Sequence, residues 1–227
     1  GVWYLFLPAD ESLADTVLSF SGSVTAASAG TLDREHGTLT GAFAASDRVT
    51  LTLDGGKTVQ ICAKQSSLPS LRLTLNGTTL EQVHRDKNVK YPGNDLVLTD
   101  GDDVLTGTVE LKGRGNSTWE WEKKPYALKF DKKQEVLGMP KHKRWCLIAN
   151  YMDRTHLRNR IAYHLGAHSK LDYTTRNEFV EVYMNGRYEG CYLLTEQIKV
   201  DANRVNVGEN TGFLLEFDTY FDEEVRF

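Results

Sequence analysis

The sequence predicts an α+β protein in two parts. A small β-sandwich occupies residues 1–67, and a mixed, mainly antiparallel sheet with one principal helix occupies residues 68–227. Three observations predict this. Short β-like runs recur through the first part, which is rich in Thr, Ser, Ala, Val and Gly and poor in Lys. The texture changes after SSLPS at residues 66–70. Beyond it, alternating and apolar runs surround a single stretch with helical spacing, an arrangement that argues against a doubly wound sheet.

In the first part, VWYLFL, GSVTAA, GTLTGAF, RVTLTL and TVQICAK read as strands, the last following the turn DGGK. Closely spaced strands with turn signals suggest a sandwich. No charged or histidine cluster there suggests chemistry, so the part reads as a spacer or binding module. In the second part, LRLTLNG is a strand and turn, and VLTGTVELKGRG is a strand ending at glycine. PYALKFD alternates, with Pro125 marking its start because proline cannot donate a ladder hydrogen bond. RWCLIAN reads as a buried strand. Leu157, Ile161 and Leu165 recur at steps of four, with Asp153 or Thr155 as N-cap, predicting a helix over 154–168. NEFVEVYMNGRYEGCYLLTEQI is a hairpin on a tight Asn-Gly turn. GFLLEFD, 212–218, closes the series as a strand.

Composition narrows the function. The chain has 227 residues, 40% hydrophobic and 26% charged, enough for a substantial core. A net charge of -4 does not suggest a dedicated nucleic-acid binder, and none is expected. The charge is uneven: residues 110–160 carry 13 Lys/Arg against 6 Asp/Glu, while the tail from Asp201 carries 7 acids and 2 arginines. A basic middle suits either an anionic ligand or a solvated face. Cys62, Cys146 and Cys191 form no CxxC pair, so no structural zinc site is expected; they read as buried thiols, with at most one disulfide. No apolar run reaches membrane-spanning length and no signal peptide is visible. The start, a bare Gly before VWYLFLP, reads as a cloning scar or a processed terminus, which leaves room for a removed signal.

Several motifs invite chemistry. HRD at 84–86 lacks the downstream asparagine of protein kinases, since Tyr91 stands there, and reads as chance. His164 and His168 lie one turn apart, but HLGAH lacks the glutamate of zinc proteases and reads as surface or partly buried. No GxSxG is present. GRGNST is more informative. Gly113 and Gly115 permit φ > 0 and close backbone approach to a ligand, and successive turn N–H groups can cradle an anion. The third glycine of a dinucleotide fingerprint is absent. Lys123 and Lys124 follow eight and nine residues after Gly115, as a strand lysine returns under a glycine turn in kinases; a tight hairpin with solvated lysines fits the same spacing. Trp119 and Trp121 read as packing aromatics.

GRGNSTWEWEKKPYALKF closely resembles the signature of the CotH kinase family, named for spore coat protein H. LGMPKHKRWCLIANYMDRTHLRNRIAYHL resembles the family's W-x-L-x-A-N-Y-x-D-x-T-x-L-R-N block, VYMNGRYEGCYLLTEQI its next hairpin and GFLLEFD its next strand. The resemblance covers roughly residues 68–218, in order, and leaves out residues 1–67. It implies an atypical, kinase-like fold and an enzyme that uses ATP and Mg²⁺ or Mn²⁺ to phosphorylate protein serines. It assigns phosphate binding to Lys124, beside Gly113, Arg114 and Gly115, and makes Glu196 the candidate to orient that lysine as an ion-pair partner. Arg158 and Asn159 fall at motif positions, and Asp153 with Arg158 fits a structural pair.

The family's base and metal-binding carboxylates lie beyond the LLE-x-D strand, in N-Y-D-type and W-D-Y-D-type blocks that this sequence lacks. The catalytic residues are therefore expected downstream of Phe227, in a longer protein of which this is the amino-terminal portion, inactive as a kinase by itself. Glu216 and Asp218, two apart on a strand, are the candidates for a cation within the chain. β modules of this kind often precede the domain in secreted bacterial proteins, so an extracellular or cell-surface location and coat or surface partners are expected. The alternatives to a kinase are a coat or surface assembly protein that only binds, and a degenerate pseudokinase.

Overall fold

The computed structural model describes residues 1–208 and 210–215. The first seven strands are β1 (Val2–Leu7), β2 (Leu18–Ser19), β3 (Val24–Ala27), β4 (Thr31–Asp33), β5 (Thr38–Thr40), β6 (Arg48–Leu53) and β7 (Thr58–Gln65). They form two sheets, in the orders β1-β7-β6-β3 and β2-β5-β4. Leu39 of β5, Val24 of β3, and Val49 and Leu51 of β6 meet in one cluster between them. β1 pairs only with β7, in parallel, so it is an edge strand.

The second set is β8 (Ser70–Thr74), α1 (Leu80–Arg85), β9 (Lys90–Asp100), β10 (Asp103–Gly113), β11 (Tyr126–Val136), β12 (Met139–Ile148), α2 (Arg158–Ala167), β13 (Asn177–Met184) and β14 (Arg187–Glu196). Its strands close into a barrel in the order β10-β11-β12-β14-β13-β8-β9. Closure removes every free edge. The inward residues follow the two-residue period: Val109 and Leu111, Leu128 and Phe130, and Trp145 and Leu147 are all buried in one cluster. The barrel and the two-sheet part share no strand, and their buried clusters contain different residues.

Strand makes up 47% of the described residues and helix 11%, so the α component is slight and the sheet is a closed barrel rather than an open one. The Asn185-Gly186 turn has φ of 51° and 77°, as the predicted tight hairpin requires. The helix is shorter than predicted and begins at Arg158. Asp153 caps it from the preceding loop, its carboxylate accepting the Arg158 N–H at 2.8 Å and the Thr155 N–H at 3.1 Å. Leu157, Ile161 and Leu165 remain 46%, 52% and 64% exposed, and no residue of α2 is buried. The barrel fills its own core, so the helix is peripheral rather than central.

The sequence reading missed α1 and β9. Thr79 and Gln82 form a reciprocal capping box that starts α1. Pro92-Gly93 disguises β9, whose ladder shifts register between Val109 and Leu111. Buried Asn94 bridges that irregularity, its side-chain amide donating to the Tyr91 carbonyl at 2.6 Å and the Val109 carbonyl at 3.4 Å. The strand predicted for GFLLEFD does not form over Gly212–Leu215, and Glu216 to Asp218 lie outside the described residues.

Candidate functional site

The outward residues of the barrel wall carry the unusual chemistry. Lys90 of β9 stands opposite Lys112 of β10, and Lys129 of β11 stands opposite Arg144 of β12. Like charges directly opposed across antiparallel strands are destabilising, which points to a role other than stability. Glu110, opposite Lys129, is the single acid in this stretch of wall. With Lys87, Arg114 and the GRGN turn these groups line a cavity of about 440 Å³. Among the described residues, none of Lys87, Lys90, Lys112, Arg114, Lys129 and Arg144 makes an ion pair. Lys87 donates instead to the Gly115 carbonyl at 2.8 Å, across the mouth of the turn.

Arg114 also lines two adjoining cavities, of about 270 Å³ and 790 Å³. The smaller is flanked by Trp121 and Tyr151, whose rings lie 5.9 Å apart at 25°. Tyr151 is held by a hydroxyl bond to Glu122 at 3.1 Å. The loop behind it is self-locking. Asn150, at φ 50°, accepts from the Asn159 amide at 2.7 Å, and Asp153 gathers Thr155 and Arg158. The motif residues Asn150, Asp153, Thr155 and Asn159 thus fix the loop that presents Tyr151. Arg158 lies 3.9 Å from Asp153 and is otherwise exposed.

The predicted site residues separate. Gly113, Arg114 and Gly115 line the basic cavity. The glycines themselves are required by packing. A Cβ on Gly113 would stand 2.6 Å from the Trp119 ring and 2.7 Å from the Lys87 backbone; one on Gly115, at φ 84°, would overlap the Thr118 hydroxyl. Gly113 does not adopt φ > 0. Trp119 enters the barrel core, as expected of a packing aromatic, with His84 and Tyr126 edge-on at 6.0 and 6.3 Å. His84, from the HRD triplet, bonds the Tyr126 hydroxyl at 2.7 Å, and burial pulls its pKa down, so it is a neutral structural group.

Lys124 does not reach the basic cavity. Its ammonium donates to the Trp119 carbonyl at 2.6 Å and clamps the loop. Nor does it pair with Glu196. The ladder Leu128–Trp145–Glu196 sets Glu196 level with Leu128. Lys124 precedes β11 and lies beside Tyr192, whose hydroxyl donates to its carbonyl at 2.9 Å; Tyr192 is four residues along β14 from Glu196, or about 13 Å at roughly 3.3 Å per residue. The Glu196 carboxylate is fully buried and is taken by Arg204, by Arg176 at 3.0 Å and by the Tyr173 hydroxyl at 2.9 Å. Arg204 in turn lies 4.7 Å over the Trp145 ring, closing that end of the barrel.

Lys123, which sequence reasoning set aside, is the perturbed lysine. It lines the Trp121–Tyr151 cavity, donates to the Cys191 carbonyl and lies 4.3 Å over the Tyr192 ring. Burial lowers its pKa to about 8. The sequence did carry one signal for the cationic wall, the excess of 13 basic over 6 acidic residues across 110–160. Nothing in it signalled the pairing of Trp121 with Tyr151, which are thirty residues apart.

For a metal, the described residues offer little. They contain no group of three or more His, Cys, Asp and Glu placed to hold an ion. The His164 and His168 rings lie 4.3 Å apart without a third ligand among them. Glu216 and Asp218 lie outside the described residues. Cys62 and Cys146 are buried free thiols, and Cys191 is a half-buried one.

Comparison with known proteins adds one result. No curated protein matches the chain. A family model described as CotH kinase protein matches residues 111–226, from the end of the cationic strand β10 through the Trp121–Tyr151 loop and the barrel's last hairpin. With half of its length matched by that model, the chain belongs to the CotH kinase protein family.

Proposed function

We propose that this chain carries the nucleotide-binding wall of an ATP-dependent protein serine kinase of CotH type. One observation carries the reading: an unpaired cationic ladder meets an aromatic-walled cavity at Arg114. The ladder of Lys90, Lys112, Lys129 and Arg144 suits the charge of a triphosphate. The Trp121–Tyr151 pair suits a purine base. Arg114, at the junction, presents its guanidinium to the phosphates between them. In phosphoryl transfer the protein chiefly positions the phosphates and neutralises their charge, and this wall does that part of the work.

A divalent ion would supply further positive charge to the phosphates, but the described residues do not fit one. Glu110 is the single acid of the basic cavity, and Glu196 is consumed by two arginines. The carboxylates that hold the ion and position the serine hydroxyl are proposed to lie outside the described residues, with Glu216 and Asp218 as candidates within the chain. Lys124 is proposed to act indirectly, by holding the GRGN loop. Residues 1–67 are proposed as a binding module, and the protein as one exported to the cell surface, where its substrate is another protein. No helix among the described residues is long and apolar enough to cross a membrane.

The test is a titration of the chain with ATP and Mg²⁺, at low and at physiological salt. Binding in the millimolar range, about 4 kcal/mol, is expected from one wall of a cleft. Arg114→Ala and Lys129→Ala should each weaken it about tenfold, the worth of one charge-assisted hydrogen bond at roughly 1.5 kcal/mol. Lys132→Ala, on the exposed end of the same strand, should not. Equal affinity in all three variants would refute the assignment. Labelled ATP with a generic acceptor protein such as casein separates binding from transfer; binding without transfer is the expected result, transfer would make Glu216 and Asp218 the first candidates for the missing carboxylates, and the absence of ATP binding favours the assembly-protein alternative.

A further inference from the structure

A further cavity, of about 520 Å³, lies on the seam between the two-sheet part and the barrel, away from Arg114. A row of four aromatic rings crosses it. Tyr4 and Phe6 of β1 have centroids 6.5 Å apart, Phe6 and Tyr188 of β14 are 5.6 Å apart, and Tyr188 and Tyr183 of β13 are 5.2 Å apart. Tyr4 is 62% and Phe6 50% exposed, so these rings are not core. No described residue covers them.

Two rings of the row, Tyr188 and Tyr183, are held from below. The Tyr188 hydroxyl donates to Glu181 at 2.6 Å, and Ser66 donates to the other oxygen of the same carboxylate at 3.0 Å. Arg72 sits 5.7 Å from the Tyr183 ring and is itself fixed by Asp10, at 2.6 and 3.0 Å, and by Glu11 at 3.2 Å. Rings fixed before binding lose little entropy on binding.

One group is left over. Tyr183 is 9% exposed, lines this cavity, and its hydroxyl has no hydrogen-bond partner among the described residues. A buried hydroxyl without a partner is costly and is normally satisfied.

The ligand class follows from what is free. The guanidinium of Arg72 is saturated by two carboxylates, so no cation is available for a phosphate or an acidic chain. The carboxylates of Asp10 and Glu11 face Arg72, so none is available for a basic peptide. What remains is a row of ring faces with one hydroxyl beside them. That combination fits a neutral molecule built of flat apolar faces edged with hydroxyls. We propose that this groove binds a neutral oligosaccharide, its pyranose rings against Tyr4, Phe6 and Tyr188 and one sugar hydroxyl bonded to Tyr183. The site is independent of the nucleotide wall, and it gives residues 1–67 a function that requires the barrel beside them.

The experiment is calorimetric titration of the whole chain with four neutral β-linked hexaoses, of glucose, xylose, mannose and N-acetylglucosamine, and with a proline-rich decapeptide. At least one hexaose should bind, with a Kd of roughly 10–1,000 μM. Tyr4→Ala and Phe6→Ala should each weaken it about tenfold through lost ring contact. Tyr183→Phe keeps the ring and removes the hydroxyl; it should weaken binding by roughly threefold to tenfold with a melting temperature no lower than the parent's. Tyr4 is exposed enough that its variant folds even if another does not. The proposal is overturned if no hexaose binds the folded chain at millimolar concentration. It is equally overturned if Tyr4→Ala and Tyr183→Phe bind as the parent does, or if the peptide alone binds and Phe6→Ala abolishes it.

Discussion

Replacing Glu196 by alanine distinguishes a structural anchor from a lysine-orienting group. The Glu196 carboxylate accepts from Arg204, from the Arg176 guanidinium and backbone N–H, both at 3.0 Å, and from Tyr173 at 2.9 Å. Without it Arg204 keeps its charge in a buried position, and two of its nitrogens, Nε and Nη2, already have no partner among the described residues. Burial lowers the Arg204 pKa and Glu196 opposes that effect, so the carboxylate is what makes the buried cation tolerable. Breaking such a pair costs about 3–5 kcal/mol, a large share of a total stability of roughly 5–15 kcal/mol. In a chain of this length each kcal/mol moves the melting temperature by roughly 2–4 °C, so Glu196→Ala should melt about 6–20 °C lower. Urea unfolding and thermal melting measure this directly. The double variant Glu196→Leu with Arg204→Met, which removes both charges, should recover most of the loss. The reasoning fails if Glu196→Ala lies within about 1 kcal/mol of the parent. It also fails if that variant loses ATP binding with unchanged stability, because Glu196 would then act on the nucleotide site.

Other outcomes follow from single contacts. Lys123 has a folded pKa of about 8 against 10.5 in a solvated chain, so between those values the unfolded state binds more protons. Stability should therefore rise with pH across that window in the parent and rise less in Lys123→Met, as compared by urea unfolding at the two ends. Trp121→Ala should abolish quenching of indole fluorescence by ATP while leaving the melting temperature within a few degrees, since Trp121 is exposed and its ring meets Tyr151 at the cavity wall. Quenching that survives in Trp121→Ala would remove the base from that cavity. Gly113→Ala should destabilise by about 1–3 kcal/mol, because its Cβ would stand 2.6 Å from the Trp119 ring and the Lys87 backbone cannot withdraw. A variant as stable as the parent would show that the loop repacks.

Much of the strand order was legible because its signals are local. Alternation marks β10 and β11, an unbroken apolar run marks β12, and Asn185-Gly186 marks the hairpin of β13 and β14. β9 was hidden by Pro92-Gly93, since the residues that repair the ladder there, Asn94 and Val109, are distant in sequence. The helical stripe of Leu157, Ile161 and Leu165 gave the helix but not its environment, because periodicity reports a face and not what covers it. Of the candidate site, the cationic segment was legible as composition. The Lys124–Glu196 pair was not a safe inference, because spacing along the chain carries no information about which rung of the ladder each residue occupies.

The sequence by itself determined the family, the strand-rich character, the tight hairpin and the excess of positive charge between residues 110 and 160. Each depends on neighbours within a few residues or on a signature read in order. Strand pairing decided the rest. The β9–β10 and β11–β12 hairpins set Lys90 against Lys112 and Lys129 against Arg144 on one outer wall and brought Trp121 to Tyr151 across thirty residues, and the barrel end consumed Glu196 in a buried knot with Arg176 and Arg204. Register in a closed sheet is fixed by the whole ring of strands at once. A one-residue slip would send every core side chain to solvent, so packing of the interior, and no local preference, chooses which charges end up side by side.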